Sequence, residues 1–179
     1  MKRVLISGFG GQGIQFAGKF LANAAMIMGM EVTYFPSYGP ETRGGASFCH
    51  IIISDAAIGS PVVVVPDILF CLSLPALEKF EGALAPGGVV YVDDSLINRK
   101  VCGIPDNSAA VYIPATRLAF EHGLEGLGNM IMVGASICRD AICDKKIVGE
   151  AMGRVISARK RDMYEANIKA IEIGFGFIK

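Results

Sequence analysis

The residues whose types and spacing best suit chemistry stand near the start of the chain, Gly8-Phe9-Gly10-Gly11-Gln12-Gly13, directly after the apolar run Val4-Leu5-Ile6. Gly8, Gly10 and Gly13 satisfy the G-x-G-x-x-G spacing of a dinucleotide-binding turn. Glycines at those positions let the backbone turn tightly, let a ligand come close, and let strand and helix pack against each other. The helix that starts behind such a turn offers unpaired N–H groups and a positive dipole end to an anion. The chemistry is recognition of an anionic group rather than bond making. Three readings stay open on this turn alone: a nicotinamide site, a turn kept for packing, and a ledge on which an anion or a partner's cofactor rests. The nicotinamide reading wants an acid about 20 residues on, closing the second strand. Here that strand reads Glu31-Val32-Thr33-Tyr34-Phe35, so Glu31 opens it and no acid closes it. An NADP site wants an arginine there instead, and the nearest is Arg43, several loop residues on.

A second constellation follows the second strand: Pro36-Ser37-Tyr38-Gly39-Pro40-Glu41-Thr42-Arg43-Gly44-Gly45. Prolines, glycines and a Glu41/Arg43 pair make this a shaped surface loop. Arg43 can grip a carboxylate or phosphate with two parallel N–H bonds, or it can pair with Glu41 and shape the loop. Gly44-Gly45 would let another backbone approach. Asp93-Asp94 closes a later strand, where open α/β sheets place ligands; a metal or ribose site and simple turn-capping before Ser95 both explain it. Cys71 and Ser73 mark another strand end. His50 lies inside an apolar strand and reads as a core residue rather than a general base. No nucleophile–base pair is legible.

The elements that must position these groups follow from periodicity. Phe16, Ala17, Phe20, Leu21, Ala24, Ala25 and Met28 recur as one helix face. Phe48 to Ile53 and Val62 to Val65 are β-rich runs close enough to form a hairpin excursion near 46–65, with Pro61 and Pro66 confining the second run to an edge. Asp67 to Leu72 and Val89 to Val92 read as buried strands, and Ala109 to Ile113 as the last one. A helix is expected from about Pro75 to Leu84, and another after Pro114, which sits near its first turn. Asn129 to Cys138 is apolar nearly all round and must be deeply buried, with Asn129 as an N-cap or a satisfied core amide. Helices near Ile147–Ile156 and Arg159–Ile173 close the chain, the latter beginning in a basic patch that reads as a solvated face. The pattern predicts an α/β, Rossmann-like, mostly parallel sheet with crossover helices and a helical C-terminal part, forming a single domain over 1–179.

Composition narrows the classes. The 179 residues are 52% hydrophobic and only 19% charged, with zero formal net charge. That balance gives no pull toward nucleic acid or acidic lipid, and it favours a surface partly covered by partners. The five cysteines, Cys49, Cys71, Cys102, Cys138 and Cys143, are scattered without a C-x-x-C, and only His50 and His122 could supplement them. An iron–sulfur cluster or a zinc site needs a closer set, so the thiols are expected to be reduced and structural in a cytoplasmic protein. Glycines cut the apolar run after Met1-Lys2-Arg3 too short for a signal peptide. The apolar stretch Ile58 to Leu77 is interrupted by Pro61, Pro66, Asp67 and Pro75, which argues against a membrane span.

The glycine turn followed by Ser37-Tyr38-Gly39-Pro40-Glu41-Thr42-Arg43-Gly44-Gly45 resembles the gamma subunit of 2-oxoacid:ferredoxin oxidoreductases. The resemblance continues through Ser54-Asp55, Ile58-Gly59-Ser60-Pro61, Pro66-Asp67, Asn129-Met130 and Gly134-Ala135, covering nearly the whole chain. The Tyr-Gly-Pro-Glu-x-Arg-Gly-Gly form is most similar to the 2-oxoglutarate and ketoisovalerate branches. It implies a subunit of a complex with alpha, beta and ferredoxin-like delta partners. Such complexes oxidatively decarboxylate a 2-oxoacid with thiamine diphosphate and magnesium, pass electrons through iron–sulfur clusters to ferredoxin, and transfer the acyl group to coenzyme A. It further implies that this chain alone binds none of these cofactors and supplies no catalytic group or metal ligand. Gly8, Gly10, Gly11, Gln12, Gly13, Tyr38, Glu41, Arg43, Gly44 and Gly45 would then face a cavity shared with the other subunits.

Overall fold

A computed structural model of the chain describes residues 1–37 and 46–178. Its frame is a six-stranded sheet. Strands β1 (Lys2–Phe9), β2 (Glu31–Ser37), β3 (Ala46–Ser54), β4 (Ile68–Cys71), β5 (Val89–Asp93) and β6 (Ala109–Ile113) lie in the order β2-β3-β1-β4-β5-β6. β1, β4, β5 and β6 pair in parallel, and β3 runs antiparallel to both β1 and β2. β2 therefore points the same way as β1, with a reversed strand inserted between them. β1 is buried from Val4 through Gly8 because it has strands on both sides and cover on both faces.

The helices are α1 (Ile14–Ile27), α2 (Leu74–Phe80), α3 (Ala115–Glu121), α4 (Gly128–Asp140), α5 (Val148–Val155) and α6 (Arg161–Phe177). Strand side chains alternate between two cores, as a period of two requires. Val4, Ile6, Phe70 and Tyr91 face the core under α1, α3, α4, α5 and α6. Leu5, Leu69, Cys71, Val90 and Val92 face a smaller core containing Leu77 of α2. α4 is buried from Gly128 through Ile137, as its all-round apolarity requires. It crosses α6 through two glycines: a Cβ on Gly134 would fall on the carbonyl of Ile171, and one on Gly174 on that of Ile131.

The 46–65 excursion takes a different form from the expected hairpin. Its first half is β3, which enters the main sheet and pairs with β1 and β2 (Phe9 opposite Ala46, Ser37 opposite Phe48). Its second half, Val62 to Val65, is irregular. Pro61 and Pro66 bracket it and lack the N–H that a ladder needs, and the Val63 N–H donates to His50 Nδ1 at 3.1 Å instead of to a backbone carbonyl. The expected helix of about 75–84 is realised as α2, capped by Ser73 Oγ accepting from the Ala76 N–H, with a short 3-10 turn over Glu81–Ala83.

Candidate functional site

The carboxyl ends of β1, β4, β5 and β6 and the starts of α1 and α4 meet at one edge of the sheet, the place where open α/β folds hold ligands. The glycine turn is built from its own side chain. Gln12 Oε1 accepts the Phe9 N–H at 2.6 Å, while its Nε2 donates to the Leu72 carbonyl at 2.7 Å, tying the turn to the end of β4. A Cβ on Gly8 would strike Gln12 Oε1, so Gly8 makes room for that clamp. Gly13 adopts φ 71°, in the left-handed region, and its carbonyl accepts from Asn129 Nδ2 at 3.0 Å. Gly11 also has positive φ, and among the described residues nothing lies within 4 Å of where its Cβ would stand.

The electrostatics suit an anion. Among the described residues, α1 has no side-chain cap and no acid in its first turn, and the same holds for α4. The first-turn N–H groups of both helices therefore keep their pull on negative charge. A cavity of about 200 Å³ lies between them, lined by Gly11, Gln12, Leu72, Thr116, Gly126 and Asn129. A second hollow of about 310 Å³ flanks the turn between Gly10, Gly13, Gln15 and Ser47.

Asp93 is fully buried and its hydrogen bonds are internal. Its carboxylate accepts from the Ser95 N–H at 3.1 Å, the Thr116 N–H at 3.1 Å and Thr116 Oγ1 at 2.6 Å. These bonds make it the turn-capping residue that ties the end of β5 to the start of α3, while Asp94 is exposed. His50 is 6% exposed, its ring between Phe35 and Phe48. Burial pushes its pKa below the usual value, and accepting from Val63 occupies the Nδ1 lone pair a general base would need. Burial likewise raises the Cys49 and Cys143 thiols to about 12 and Cys71 further still. Among the described residues no group of three or more His, Cys, Asp and Glu is placed to hold a metal.

The structure brings Gly8, Gly10, Gly11, Gln12 and Gly13 together at this edge. Tyr38, Glu41, Arg43, Gly44 and Gly45 lie outside the described residues; the strand ends on either side of them, Ser37 and Ala46, stand at the same edge as Phe9. Glu31 stands at the opposite edge, paired with Ser54. The insertion of β3 also moves β2 one strand spacing, about 4.8 Å, away from the glycine turn. The acid that would hold a nicotinamide ribose is thus missing from the end of β2, and that end is itself displaced. Asn129 was legible as a polar residue opening an apolar helix, but its partner, the Gly13 carbonyl, was not. The Gln12 clamp had no sequence signal beyond its place in the turn.

The family model described as pyruvate ferredoxin/flavodoxin oxidoreductase matches residues 3–177. The chain is 38% identical over 181 residues to the 2-oxoglutarate synthase subunit KorC of Methanocaldococcus jannaschii, covering 99% of this chain and 94% of that one. It is 35% identical over 173 residues to the ketoisovalerate oxidoreductase subunit VorA of Methanothermobacter marburgensis, covering 96% of this chain. It spans only about a third of VorA's length, 35%. The fold superposes on the crystal structure of a keto/oxoacid ferredoxin oxidoreductase gamma subunit from Geobacter sulfurreducens with a TM-score of 0.82 and 29% identity, covering 99% of this chain and 98% of that one.

Proposed function

Since the chain belongs to the pyruvate ferredoxin/flavodoxin oxidoreductase family, we propose that it is the gamma-type subunit of a cytoplasmic, multi-subunit 2-oxoacid:ferredoxin oxidoreductase, with 2-oxoglutarate as the favoured substrate. Its partners in this reading are alpha, beta and ferredoxin-like delta subunits, and ferredoxin accepts the electrons. The observation that carries the site is the glycine turn with its uncapped helix at the carboxyl edge of the sheet. Gly10, Gly11, Gly13 and the start of α1 would hold a phosphate of coenzyme A, and Tyr38, Glu41, Arg43, Gly44 and Gly45 would face the same shared cavity. Coenzyme A, when bound, supplies the thiol that takes the acyl group. This chain's work is to bind and orient that ligand and to wall the cavity from water. The Gln12 clamp and the Asn129–Gly13 bond keep the turn in shape for it. In this reading the iron–sulfur clusters are held by partner subunits. Thiamine diphosphate and magnesium fall to the other subunits.

The test is reconstitution. The chain co-expressed with its complex should support ferredoxin reduction that depends on 2-oxoglutarate and coenzyme A, and the isolated chain should show no turnover. In the complex, Arg43→Ala should raise the KM for coenzyme A about tenfold, the loss of one charge-assisted contact. Unchanged KM and kcat would leave a purely architectural subunit. Turnover by the single chain, or micromolar binding of NADH, NADPH or FAD to it, would overturn the reading in favour of a free-standing nucleotide enzyme.

A further inference from the structure

The sheet is covered unequally on its two faces. Five helices, α1, α3, α4, α5 and α6, close one face among the described residues. On the other, α2 packs against β1 and β4, while β3 is covered by the irregular loop that follows it. That loop buries Val63 and turns Val62, Val64 and Val65 outward, Val64 to 73% exposure. The eleven positions from Ala56 to Pro66 contain no charged residue. Beneath the loop lies the buried His50, which accepts the Val63 N–H. The His50 ring lies 5.9 Å from Phe35 and 5.4 Å from Phe48, and Phe48 lies 5.6 Å from Phe80. Phe35 itself is 43% exposed. The patch reaches the edge that holds the glycine turn, since Phe48 lies two residues along β3 from Ala46, the partner of Phe9.

An exposed apolar loop without charge, beside the exposed Phe35 and the Phe48 and Phe80 rings that Lys79 covers, marks a protein–protein contact. Chain length points to the occupant. The match to this chain covers 35% of VorA's length, whereas KorC is matched over 94% of its own. The same fold thus occurs joined to about twice as much further chain and also as a polypeptide of its own. We propose that the valine loop and the outer face of β2 and β3 seat the subunit that corresponds to the remaining length of the VorA-type chain. In the long form that layer is supplied within one polypeptide; here a separate subunit supplies it. The inference rests on the subunit role proposed above, because a free-standing enzyme has no such neighbour. Seating a partner on this face brings it to the edge where the glycine turn opens.

The experiment uses the co-expressed complex and its purified subunits. Val64→Asp and Val62→Asp place a charge on an exposed side chain and should leave the unfolding temperature of the chain unchanged. Each should weaken calorimetric binding to the VorA-remainder subunit at least tenfold. Met26→Asp, on the exposed side of α1, should leave that affinity unchanged. Hydrogen exchange on the unmodified complex provides a readout without any substitution: amides from 56 to 66 should be protected on assembly. An active complex in which those amides exchange freely, or in which both valine variants bind normally, overturns this surface and leaves the subunit role standing. Protection produced by a second copy of this chain alone overturns it in favour of self-association. A chain that joins no such complex overturns both.

Discussion

At the scale of single residues, the buried polar groups show what the chain spends its chemistry on. His50, the one histidine that a motif search would test as a base, accepts a backbone N–H and lies between two aromatic rings. Its folded-state pKa is lowered by burial. Its contribution is therefore intact above the unfolded value of about 6.5 and is lost as pH falls from there through the lowered folded value, because the unfolded chain takes up the proton first. Asp67 has the opposite chemistry. Burial alone would raise it, but the hydrogen bonds and charge of Arg3 outweigh burial and hold it low. Its contribution is present above the unfolded value of about 4 and is lost only below it. Urea unfolding at a series of pH values should accordingly show stability falling between pH 7 and 5 in the wild type, and a flatter profile over that interval in His50→Gln. An unchanged slope in the variant would assign the titration to another group. That Asp93 can cap a turn is legible from the Ser95 beside it in the chain; that Thr116, on another element, takes the rest of its bonds is not.

At the scale of elements, the α4–α6 crossing decides how tightly the helical half closes on the sheet. Gly134 and Gly174 face each other's helix backbone, and a methyl group at either has no room. The neighbour at each is a carbonyl in a helix, which cannot swing aside as a side chain would. Gly134→Ala should therefore cost about 3 kcal/mol in denaturant unfolding despite the better helix propensity of alanine. A neutral or stabilising result would mean that the two helices can separate freely. Periodicity revealed that α4 is buried, since its residues are apolar on all sides. It did not reveal the glycine contact, because a close approach depends on which helix crosses and where. Likewise β3 was legible as a strand from Phe48 to Ile53, but its direction and its place between β1 and β2 were not. Those depend on pairing partners far along the chain.

At the scale of the whole molecule, the sheet has one closed face and one partly open face, and the opening carries the valine loop. A chain with 52% hydrophobic residues and no net charge gains little solubility from its own surface. Binding that selects the folded state stabilises it by mass action. With the partner subunit at a hundred times its Kd, the gain is about 2.7 kcal/mol, which for a chain of this size raises the unfolding temperature by roughly 5–10 °C. Differential scanning calorimetry of this chain alone and in the complex checks it; coincident transitions would mean that assembly does not discriminate folded from unfolded chain.

The sequence by itself determined the class of the fold, the glycine turn at the end of the first strand, the buried α4 and the lack of a C-x-x-C cluster. Each of these follows from local spacing, which a linear chain displays directly. Only the tertiary structure decided that β3 separates β2 from the turn, that Gln12 ties the turn to Leu72 and Asn129 ties Gly13 to α4, that Asp93 is a cap, and that Val62 to Val65 form a surface loop rather than a strand. These are contacts between residues tens of positions apart. Spacing along the chain carries no record of them, because several strand orders bury the same apolar residues and only the packed molecule selects one.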